Sequence, residues 1–412
     1  MRARLDASVI VFGLGFATVA SAQTSLTLEE AFELAASKNI ELQQRAVDVE
    51  AAQARVDGAS VVLNSNPNVT LSLGPRASAA GVSVDYGAQL TQQVEVAGQR
   101  GARVDAAEAG VGSASARLKA ARAKLRAEVR TRFGRALAAD QRLTLAQEAL
   151  ALSQQGLAAA DERFRAGSAA LIEVNTARVE LGRVTRARAE AGRARSAAYG
   201  ELRLTLGLAP SEELALKGVL AEQEQTALPD EKLLIERALA SRFELEQARR
   251  EAEAARAQSR LAFREWLPSP RIGVSLNHER ESQTTIVQGV LGFDLPLFSR
   301  NQGPRGVAAA QERQAELALT ATERAVVQEV RAALARAFAA RAAADGYRGD
   351  VVKAMQENME LVNDSYRAGR IDFLQLVVIR RQALEARREY IDVLEELSGA
   401  RAELELAIGG AL

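Results

Sequence analysis

Cysteine is absent from this chain, and histidine occurs once, at position 278. Without cysteine the protein can form neither a disulfide nor a lipidated N-terminal cysteine. Metal ions such as zinc are held by several His, Cys or carboxylate ligands that converge on one point. His278 falls at the predicted edge of a strand and supplies no such set. We therefore expect neither a resident metal nor a cofactor.

Other scarcities narrow the class of protein further. Lysine plus arginine and aspartate plus glutamate each number 53, so the net charge is zero and no global basic field favours nucleic acid. A Ser-His-Asp set would depend on His278, and the phosphate-binding glycine loops are missing, so we predict that the chain is not an enzyme. After the N-terminus, no stretch reaches the roughly 18 apolar residues of a membrane-spanning helix.

Apolar residues and helix formers are abundant. Hydrophobic residues make up 48% of the chain while aromatic residues make up 4%, and alanine, arginine, glutamate and leucine dominate. This composition is typical of long helices and coiled coils. We therefore predict a mainly α-helical protein with a small β part.

The N-terminus has the features of a secretory signal. Arg2 and Arg4 give a charged start, Val9 to Val19 a short apolar core, and Ala20-Ser21-Ala22 a cleavage site. The mature protein is expected to begin near Gln23 and to leave the cytoplasm.

The mature chain contains two copies of one unit. Phe164-Arg-Ala-Gly167 recurs as Tyr366-Arg-Ala-Gly369, 202 residues later. Further matched positions are Leu202, Leu204 and Gly207 with Leu404, Leu406 and Gly409, and Pro67 with Pro270. We predict a signal peptide over 1–22, a first repeat over 23–207, a connector over 208–230 and a second repeat over 231–412.

Each repeat has the same predicted order of elements. In the first, a helix over 28–63 with a break near Lys38-Asn39 precedes strands at about 68–73 and 82–96, and a turn covers Gly74 to Gly81. In the second, an unbroken helix over 231–266 precedes strands at about 271–278 and 285–297. A long helix then runs to each Arg-Ala-Gly turn, and a shorter helix returns antiparallel. The long helix from Gly303 to Tyr366 would span roughly 95 Å.

The second repeat changes its periodicity at a junction between strand and helix. Apolar residues alternate with polar ones from Val287 to Leu297, which predicts a strand with one apolar and one polar face. Pro296, Asn301 and Gly303 end that alternation, and an alanine-rich helical pattern follows.

Four two-faced strands per chain are too few to close a barrel. Open strand edges cannot lie in lipid, because each unpaired backbone group there costs several kcal/mol. Three copies would supply twelve strands, an even number that suits an outer-membrane barrel. Either the hairpins pair with those of other copies, or they are not inserted in the membrane. In the first case, the predicted fold is a long antiparallel α-helical coiled-coil barrel joined to a trimeric twelve-stranded β-barrel, with a two-fold internal repeat.

These features resemble the TolC family of outer-membrane efflux ducts over nearly all of the mature chain. The segment Leu295-Pro296-Leu297-Phe298-Ser-Arg300-Asn301-Gln302-Gly303 is similar to the L-P-L-F-x-R-N-Q-G segment of the cobalt-zinc-cadmium resistance branch. Val94 to Arg100 is a looser match in the first repeat. The resemblance implies a homotrimer in the outer-membrane lipid of a Gram-negative bacterium, with a large periplasmic extension. It also implies docking on a periplasmic membrane-fusion adaptor and an inner-membrane RND pump that the proton gradient drives.

The resemblance places the two Arg-Ala-Gly turns at the periplasmic tips, where the duct meets its adaptor. Arg165, Gly167, Arg367 and Gly369 are the candidate contact residues. The alternative is that both turns only cap helices, with arginine near the negative end of a helix dipole.

The resemblance also implies a gate at the tips. The candidates are Tyr366, Arg370, Asp372 and Gln375 in the second repeat and Glu173 in the first. Related ducts have acidic rings here, whereas this chain has Gln375 and Val378 at the expected positions. Glu173 and Asp372 would restore an acidic ring, because three-fold symmetry turns one carboxylate into three. Replacing either with alanine is then expected to alter cation block of single channels.

Two alternatives remain open from the sequence. The first is a periplasmic coiled-coil scaffold whose hairpins bind a partner and never enter lipid. The second keeps the duct but gives it organic solutes or secreted protein as cargo in place of divalent metal cations.

Overall fold

The computed structural model describes residues 25–78, 81–218, 220, 228–347 and 350–410. Most of these residues are helical, as the composition predicts, and a β-hairpin interrupts the helices at two places in the described chain. The predicted signal peptide, residues 1–22, lies outside the described residues.

The long helices and the two hairpins follow one another in the order that the sequence predicts. The helices are α1 (Leu28–Lys38), α2 (Ile40–Ser60), α3 (Gln99–Arg165), α4 (Leu171–Leu206), α5 (Glu231–Ser241), α6 (Phe243–Arg264), α7 (Gln302–Tyr347), α8 (Asp350–Arg367) and α9 (Phe373–Ala407). The strands are β1 (Ser25–Leu26), β2 (Asn68–Ser78), β3 (Gly81–Gln93), β4 (Ala215–Leu216), β5 (Arg271–Glu279) and β6 (Thr284–Gly292). The predicted continuity between α7 and α8 passes through residues 348 and 349, which the structure does not describe.

The helix α3 is the central helix of the chain. Its 67 residues span roughly 100 Å at 1.5 Å per residue. It packs against α2 and α6 near the sheet, and against α4 and α9 toward its other end. The helix α7 packs in turn on α6 and on α9. The helices therefore form a wall in the order α2, α3, α6, α7 beside the sheet.

The predicted break at Lys38-Asn39 is confirmed. Asn39 has extended backbone angles and caps α2, because its side-chain oxygen accepts a hydrogen bond from the backbone N–H of Leu42 at 3.1 Å. The Asn39 side chain also donates to the carbonyl of Thr205 at 3.0 Å, which ties the break to the end of α4.

The predicted unbroken helix over 231–266 is wrong. Arg242 has extended backbone angles and separates α5 from α6, at the position that matches Asn39 in the first repeat. Its side chain is 8% exposed, and its guanidinium pairs with Glu244 and Glu329. Tertiary pairing holds this break, whereas asparagine is a capping residue that a sequence reveals.

Two glycines end the returning helices against these breaks. Gly207 and Gly409 have φ of +71° and +76°, which is the left-handed region. A Cβ at Gly207 would lie 2.3 Å from the carbonyl oxygen of Lys38, and one at Gly409 would lie 2.8 Å from that of Ser241. Both positions therefore require glycine for conformation and for space.

The described strands β2, β3, β5 and β6 form one sheet in that order, with antiparallel neighbours. Leu90 of β3 lies opposite Val274 of β5, so the central ladder joins the hairpin of the first repeat to that of the second. The outer edges of β2 and β6 have no partner strand among the described residues.

The two faces of the sheet differ in polarity, as the alternation predicts. Cross-strand partners share a face, and one face carries exposed apolar side chains, with Leu71 and Leu73 each 78% exposed. Members of this apolar face are Val69, Leu71, Leu73, Val82, Val84, Tyr86, Leu90, Ile272, Val274, Leu276, Val287 and Leu291. The opposite face carries Thr70, Arg76, Asp85, Gln89, Arg271, Glu279 and Gln288. A sheet whose apolar face is exposed suits contact with lipid.

Three predicted strand limits are wrong. The strand β2 continues through Ser78, where a turn from Gly74 was expected, because it pairs with β3 along its whole length. The strand β3 ends at Gln93 and not at Val96. The strand β6 ends at Gly292, five residues before Leu297, although the alternation of apolar residues continues. Residues beyond Gly292 lie past Arg271, the first residue of β5, and on the open edge of the sheet, so none of the described strands pairs with them.

The start of the described chain is tied to the connector between the repeats. Ser25 and Leu26 of β1 pair in parallel with Ala215 and Leu216 of β4, and the backbone N–H of Lys217 donates to Leu26 at 2.8 Å. A two-residue strand leaves no periodic signal, so the sequence did not predict it. Within the described ranges, no helix is both long enough and apolar enough to cross a membrane.

Candidate functional site

Both Arg-Ala-Gly turns join helices at one end of the helical wall. The first connects α3 to α4, and the second connects α8 to α9. Side chains from all four helices pack in one cluster here: Ala160, Val174, Ala177, Val362, Phe373 and Leu376 are buried. The matched turns of the two repeats therefore lie side by side, and we call this region the tip.

The turns have the same hydrogen bonds. Gly167 has φ of +73°, and its N–H and that of Ser168 donate to Phe164 and Arg163 at 3.0 and 2.9 Å. Gly369 has φ of +68° and makes the matching bond to Tyr366 at 3.0 Å. This is the glycine helix ending that the repeated motif predicts.

A cluster of three polar side chains, which we call the tip triad, connects the first repeat to the second. Arg163 Nη1 donates to Glu173 Oε1 at 3.0 Å and to Tyr366 Oη at 2.8 Å. The Tyr366 hydroxyl in turn donates to Glu173 Oε1 at 2.8 Å. Arg163 is on α3, Glu173 on α4 and Tyr366 on α8, so the triad links three helices across the repeat boundary.

The environment of the triad favours the protonation states that these bonds require. The Glu173 side chain is 14% exposed, and the Tyr366 ring lies 5.9 Å from that of Phe373, centroid to centroid. Burial and the bond to the Glu173 carboxylate raise the pKa of Tyr366, so its hydroxyl remains a donor at neutral pH. The bond to Tyr366 raises the pKa of Arg163, against the opposing effect of desolvation.

The structure brings together two of the predicted gate residues, Glu173 and Tyr366, and adds Arg163. Sequence reasoning missed Arg163 because charges are interspersed throughout the helices. Its spacing from Glu173, ten residues across a helix-turn-helix, was the available signal.

Asp372 and Gln375 form a separate structure at the start of α9. The Asp372 carboxylate accepts from the Gln375 N–H at 2.7 Å, and the Gln375 side chain accepts from the Asp372 N–H at 3.2 Å. This reciprocal pair is a capping box, and both residues are exposed. Arg370 is exposed in the turn, and its N–H donates to Ser365 at 2.8 Å.

The predicted adaptor contacts lie on the outer surface of the tip. Arg165, Gly167 and Gly369 are exposed, and no atom lies within 4 Å of a Cβ built at either glycine. Arg367 is the last residue of α8, and its side chain is outside the described part of the structure.

The predicted strand-to-helix motif, residues 295–303, forms an ordered loop at the base of the sheet. Asn301 has φ of +56° and its side chain donates to the carbonyl of Ala262 at 3.1 Å, which fixes the start of α7 against α6. The Gln302 side chain accepts from the N–H of Arg300 at 2.7 Å. Leu295, Leu297 and Phe298 remain exposed, Phe298 by 92%. Pro296 and Gly303 lie within the same stretch, the former in the loop and the latter in the first turn of α7.

Among the described residues, no group of three or more His, Cys, Asp or Glu side chains is arranged to hold a metal ion. His278 contacts Thr285 at 3.0 Å and stacks on Tyr86 at 4.9 Å between ring centroids, on the apolar face of the sheet.

A sheet with an exposed apolar face, continued by a helical wall whose longest helix spans roughly 100 Å, is typical of an outer-membrane channel subunit with a helical extension. The profile described as outer membrane efflux protein matches residues 31–208 and again 234–410. The chain belongs to the outer membrane efflux protein family, a family of channels of the outer membrane.

Individual relatives agree with this assignment. The cobalt-zinc-cadmium resistance protein CzcC of Cupriavidus metallidurans is 26% identical over 386 residues, covering 93% of this chain and 90% of CzcC. The Campylobacter jejuni CmeC outer membrane channel has a TM-score of 0.78 at 16% identity, covering 93% of this chain and 86% of CmeC. A membrane protein from Pseudomonas aeruginosa has a TM-score of 0.76 at 22% identity, with 93% and 90% covered.

These similarities confirm the predicted resemblance and the mainly helical fold. The family match supports the channel over the periplasmic scaffold. The branch that the Leu295–Gly303 motif resembles is also the one to which the named relative CzcC belongs.

Proposed function

We propose that this chain is one subunit of a homotrimeric duct that conducts solute passively from a periplasmic adaptor and an inner-membrane pump of the RND type to the exterior. The observation that carries this proposal is the sheet: its apolar face is exposed, and its β2 and β6 edges lack partners among the described strands. Three copies joined edge to edge would close twelve strands and leave no open edge in lipid.

The mass and shape of the purified protein in detergent test this proposal. We expect a trimer about 100 Å or more in length, since α3 alone has that reach. A monomer that stays soluble without detergent and does not insert into bilayers would contradict it.

We also propose the two-repeat division, with repeats over 23–207 and 231–412 and a connector over 208–230. Its support is the order of elements, because a helix, a hairpin, a long helical segment, a glycine turn and a returning helix occur in each half. The family profile also matches each half separately.

Divalent heavy-metal cations are the proposed cargo. The similarity to CzcC, a cobalt-zinc-cadmium resistance protein, supports this class over organic solutes and secreted protein. Deletion of the gene is expected to lower tolerance of zinc, cobalt, cadmium, nickel or copper while drug tolerance is unchanged. Equal tolerance of every metal with and without the gene would contradict the proposed cargo.

At the tip, we propose that the Arg163, Glu173 and Tyr366 triad holds the gate closed by fastening α8 to the α3–α4 hairpin. The exposed Asp372, with Arg370 and Gln375 beside it, is the remaining candidate for a ring of charge around the pore. Because Arg163 pairs with Glu173, a cation meets less negative charge at Glu173 than the carboxylate alone would give.

The two turns are the proposed adaptor-docking surface, with Arg165 and Gly167 from the first repeat and Arg367 and Gly369 from the second. The open space beside both glycines supports docking, and their φ values fit helix capping equally well. Arg165→Glu is expected to weaken adaptor binding while α3 remains intact, as measured by co-purification of the adaptor with the trimer. Unchanged co-purification would leave capping as the role of the turn.

A further inference from the structure

The two strand-to-helix junctions of the chain have matching backbones but different surroundings. Gly98 and Asn301, which are 203 residues apart, have φ of +77° and +56°. The glutamine after each one accepts from the N–H two residues before it, Ala97 to Gln99 at 2.8 Å and Arg300 to Gln302 at 2.7 Å. The structure itself therefore aligns the two junctions, residue for residue, at an offset of 203.

The first junction donates hydrogen bonds to residues of the second repeat. The N–H of Val94 donates to the carbonyl of Pro270 at 2.9 Å, and the Gln99 side chain donates to the carbonyl of Leu267 at 3.2 Å. Strand β3 continues to Gln93 because Arg271 and Ile272 of β5 pair with its last residues. We call this contact between β3 and β5 the inter-repeat seam.

At the second junction, the corresponding donors form hydrogen bonds within the junction itself. Leu297, which matches Val94, donates its N–H to Leu295 at 2.8 Å. Gln302, which matches Gln99, donates its side chain to Phe298 at 3.3 Å. By the same offset β6 should reach Pro296, yet it ends at Gly292. The missing pairing partner explains the difference, because β6 is an edge strand and β3 is not.

The other half of the inter-repeat seam also has a counterpart in the chain. Leu267 and Pro270, the acceptors of the first junction, match Asn64 and Pro67 just before β2. These two residues lie at the opposite edge of the same sheet, beside the exposed apolar residues Val61, Val62 and Leu63. A second copy set edge to edge would bring this segment beside Leu295, Leu297 and Phe298, which are also apolar and exposed.

We propose that residues 293–296 become strand when they pair with β2 of a neighbouring copy, in the register of the inter-repeat seam. Because Leu90 lies opposite Val274 and Gln93 opposite Arg271, Phe293 will lie opposite Leu71 of the neighbouring copy and Pro296 opposite its Asn68. Leu297 and Gln302 then donate to Pro67 and Asn64 of that copy. The inference rests on the proposed trimer and specifies its contacts.

Engineered disulfides test this register, and the cysteine-free chain is a clean background. Gln89 and Ser275 face each other within one chain, and the junction offset of 203 converts them to Gly292 and Ser72 of two different copies. The hairpin pairings instead match Gly292 with Thr91, an offset of 201, because Arg271 faces Gly292 as Asn68 faces Thr91. That offset would put Gly292 opposite Thr70, so the experiment decides between the two registers. Directly opposed residues on neighbouring strands lie within disulfide range, and a slip of two residues takes them out of it. The Gly292→Cys, Ser72→Cys variant should therefore form covalent dimers and trimers on oxidation.

Two variants serve as controls. Gln89→Cys, Ser275→Cys should lose its free thiols within one chain and gain no mass, which shows that oxidation works at this depth of the sheet. Gly292→Cys, Thr70→Cys is displaced by two residues and should cross-link several-fold less. The mass of each variant in detergent is measured before oxidation.

The outcomes separate this inference from the proposed function. A trimer that cross-links through Gly292→Cys with Ser72→Cys, and several-fold less through the displaced pair, supports the register. The register is overturned if the protein is a trimer and the in-chain control oxidises, but the displaced pair cross-links as well as the predicted pair or better. That outcome leaves the trimeric duct in place. The absence of any trimer overturns both.

Discussion

At the scale of single residues, the hydrogen bonds of the tip triad join the first repeat to the second at the proposed gate. Glu173 accepts from both Arg163 and Tyr366 through one oxygen atom, Oε1. If Glu173 loses its charge, Arg163 remains beside Tyr366 and no longer has that carboxylate as its ion-pair partner. Charge-assisted hydrogen bonds of this kind contribute about 1.5 to 3 kcal/mol when partly buried.

Glu173→Gln is therefore expected to favour the open tip. A loss of 1 to 2 kcal/mol shifts a two-state equilibrium by about 5-fold to 30-fold. Single-channel recordings in planar bilayers should show a higher mean conductance than the unmodified protein. Glu180→Gln is the matched control, since Glu180 forms its ion pair with Arg183 on the same helix. Equal conductance in both variants would remove the triad from the gate.

The glycine that ends α4 has no room for a side chain, so its substitution is expected to affect stability. Gly207→Ala would place a Cβ 2.3 Å from the Lys38 carbonyl oxygen and force alanine into the left-handed region at φ of +71°. Left-handed conformations cost a non-glycine residue roughly 1 to 3 kcal/mol even without a clash.

We expect Gly207→Ala to lower the midpoint of thermal or denaturant unfolding. Gly182→Ala is the control, because Gly182 lies inside α4 with no atom within 4 Å of its built Cβ. Alanine there is expected to raise stability slightly, by about 0.5 to 1 kcal/mol, from helix propensity. A Gly207→Ala protein as stable as the parent would show that α4 ends without help from this contact.

At the scale of elements, the sequence predicted the features that depend on nearby residues. It missed the features that depend on residues distant in the chain. The Asn39 break, the glycine turns and the two hairpins follow from capping residues, glycine and alternation, and the structure confirms them. The break at Arg242 depends on Glu329, 87 residues away, and so leaves no local signal. The early end of β6 depends on which strand lies beside it, which alternation does not encode.

The candidate site divides in the same way. Glycine with left-handed backbone and the Asp372–Gln375 capping box are short-range patterns that a sequence displays. The tip triad needs three helices to meet, and Arg163 is one arginine among many on exposed helix faces. Internal repetition identified the tip, but it did not show which charges pair there.

The packing of α3 on α4 supplies a pH-dependent prediction. The Tyr199 hydroxyl donates to the Asp140 carboxylate, and the Arg195 guanidinium lies over its ring at 4.3 Å. Burial, followed by the bond to Asp140, raises the pKa of Tyr199 from 10.0 to about 12. A raised pKa in the folded state gives stability that is complete below the unfolded value and lost as pH rises to the folded one.

Unfolding measured at pH 8 to 12 should therefore show stability falling between about 10 and about 12, as far as Tyr199 contributes. Tyr199→Phe keeps the ring and removes the hydroxyl, so the difference between the two proteins should shrink across that interval. A difference that stays constant from pH 8 to 12 would show that Tyr199 titrates alike in both states.

At the scale of the whole molecule, the two repeats leave two different open edges, one on each side of the chain. The order of the sheet, β2 to β6, matches the order of the helices, α2 to α7, so each of these sides is open in both layers among the described elements. Within the chain, the first repeat pairs with the second through β3 and β5. The corresponding strands β6 and β2 are left at the outer edges, where they can pair with neighbouring copies. A head-to-tail contact of this kind closes into a ring when the rotation per copy divides a full turn.

Insertion into the outer membrane depends on keeping the two faces of that sheet distinct. Leu71 lies on the apolar face, 78% exposed, and Thr70 is its neighbour on the polar face. An arginine on the lipid side of a barrel costs about 2 to 4 kcal/mol near the bilayer midplane, whereas lumen positions accept charge. Because each proposed trimer would carry three such arginines, we expect Leu71→Arg to remove most of the folded trimer from the outer-membrane fraction. Thr70→Arg should leave its amount close to that of the parent. Equal yields of the two variants in the membrane fraction would show that the apolar face does not meet lipid.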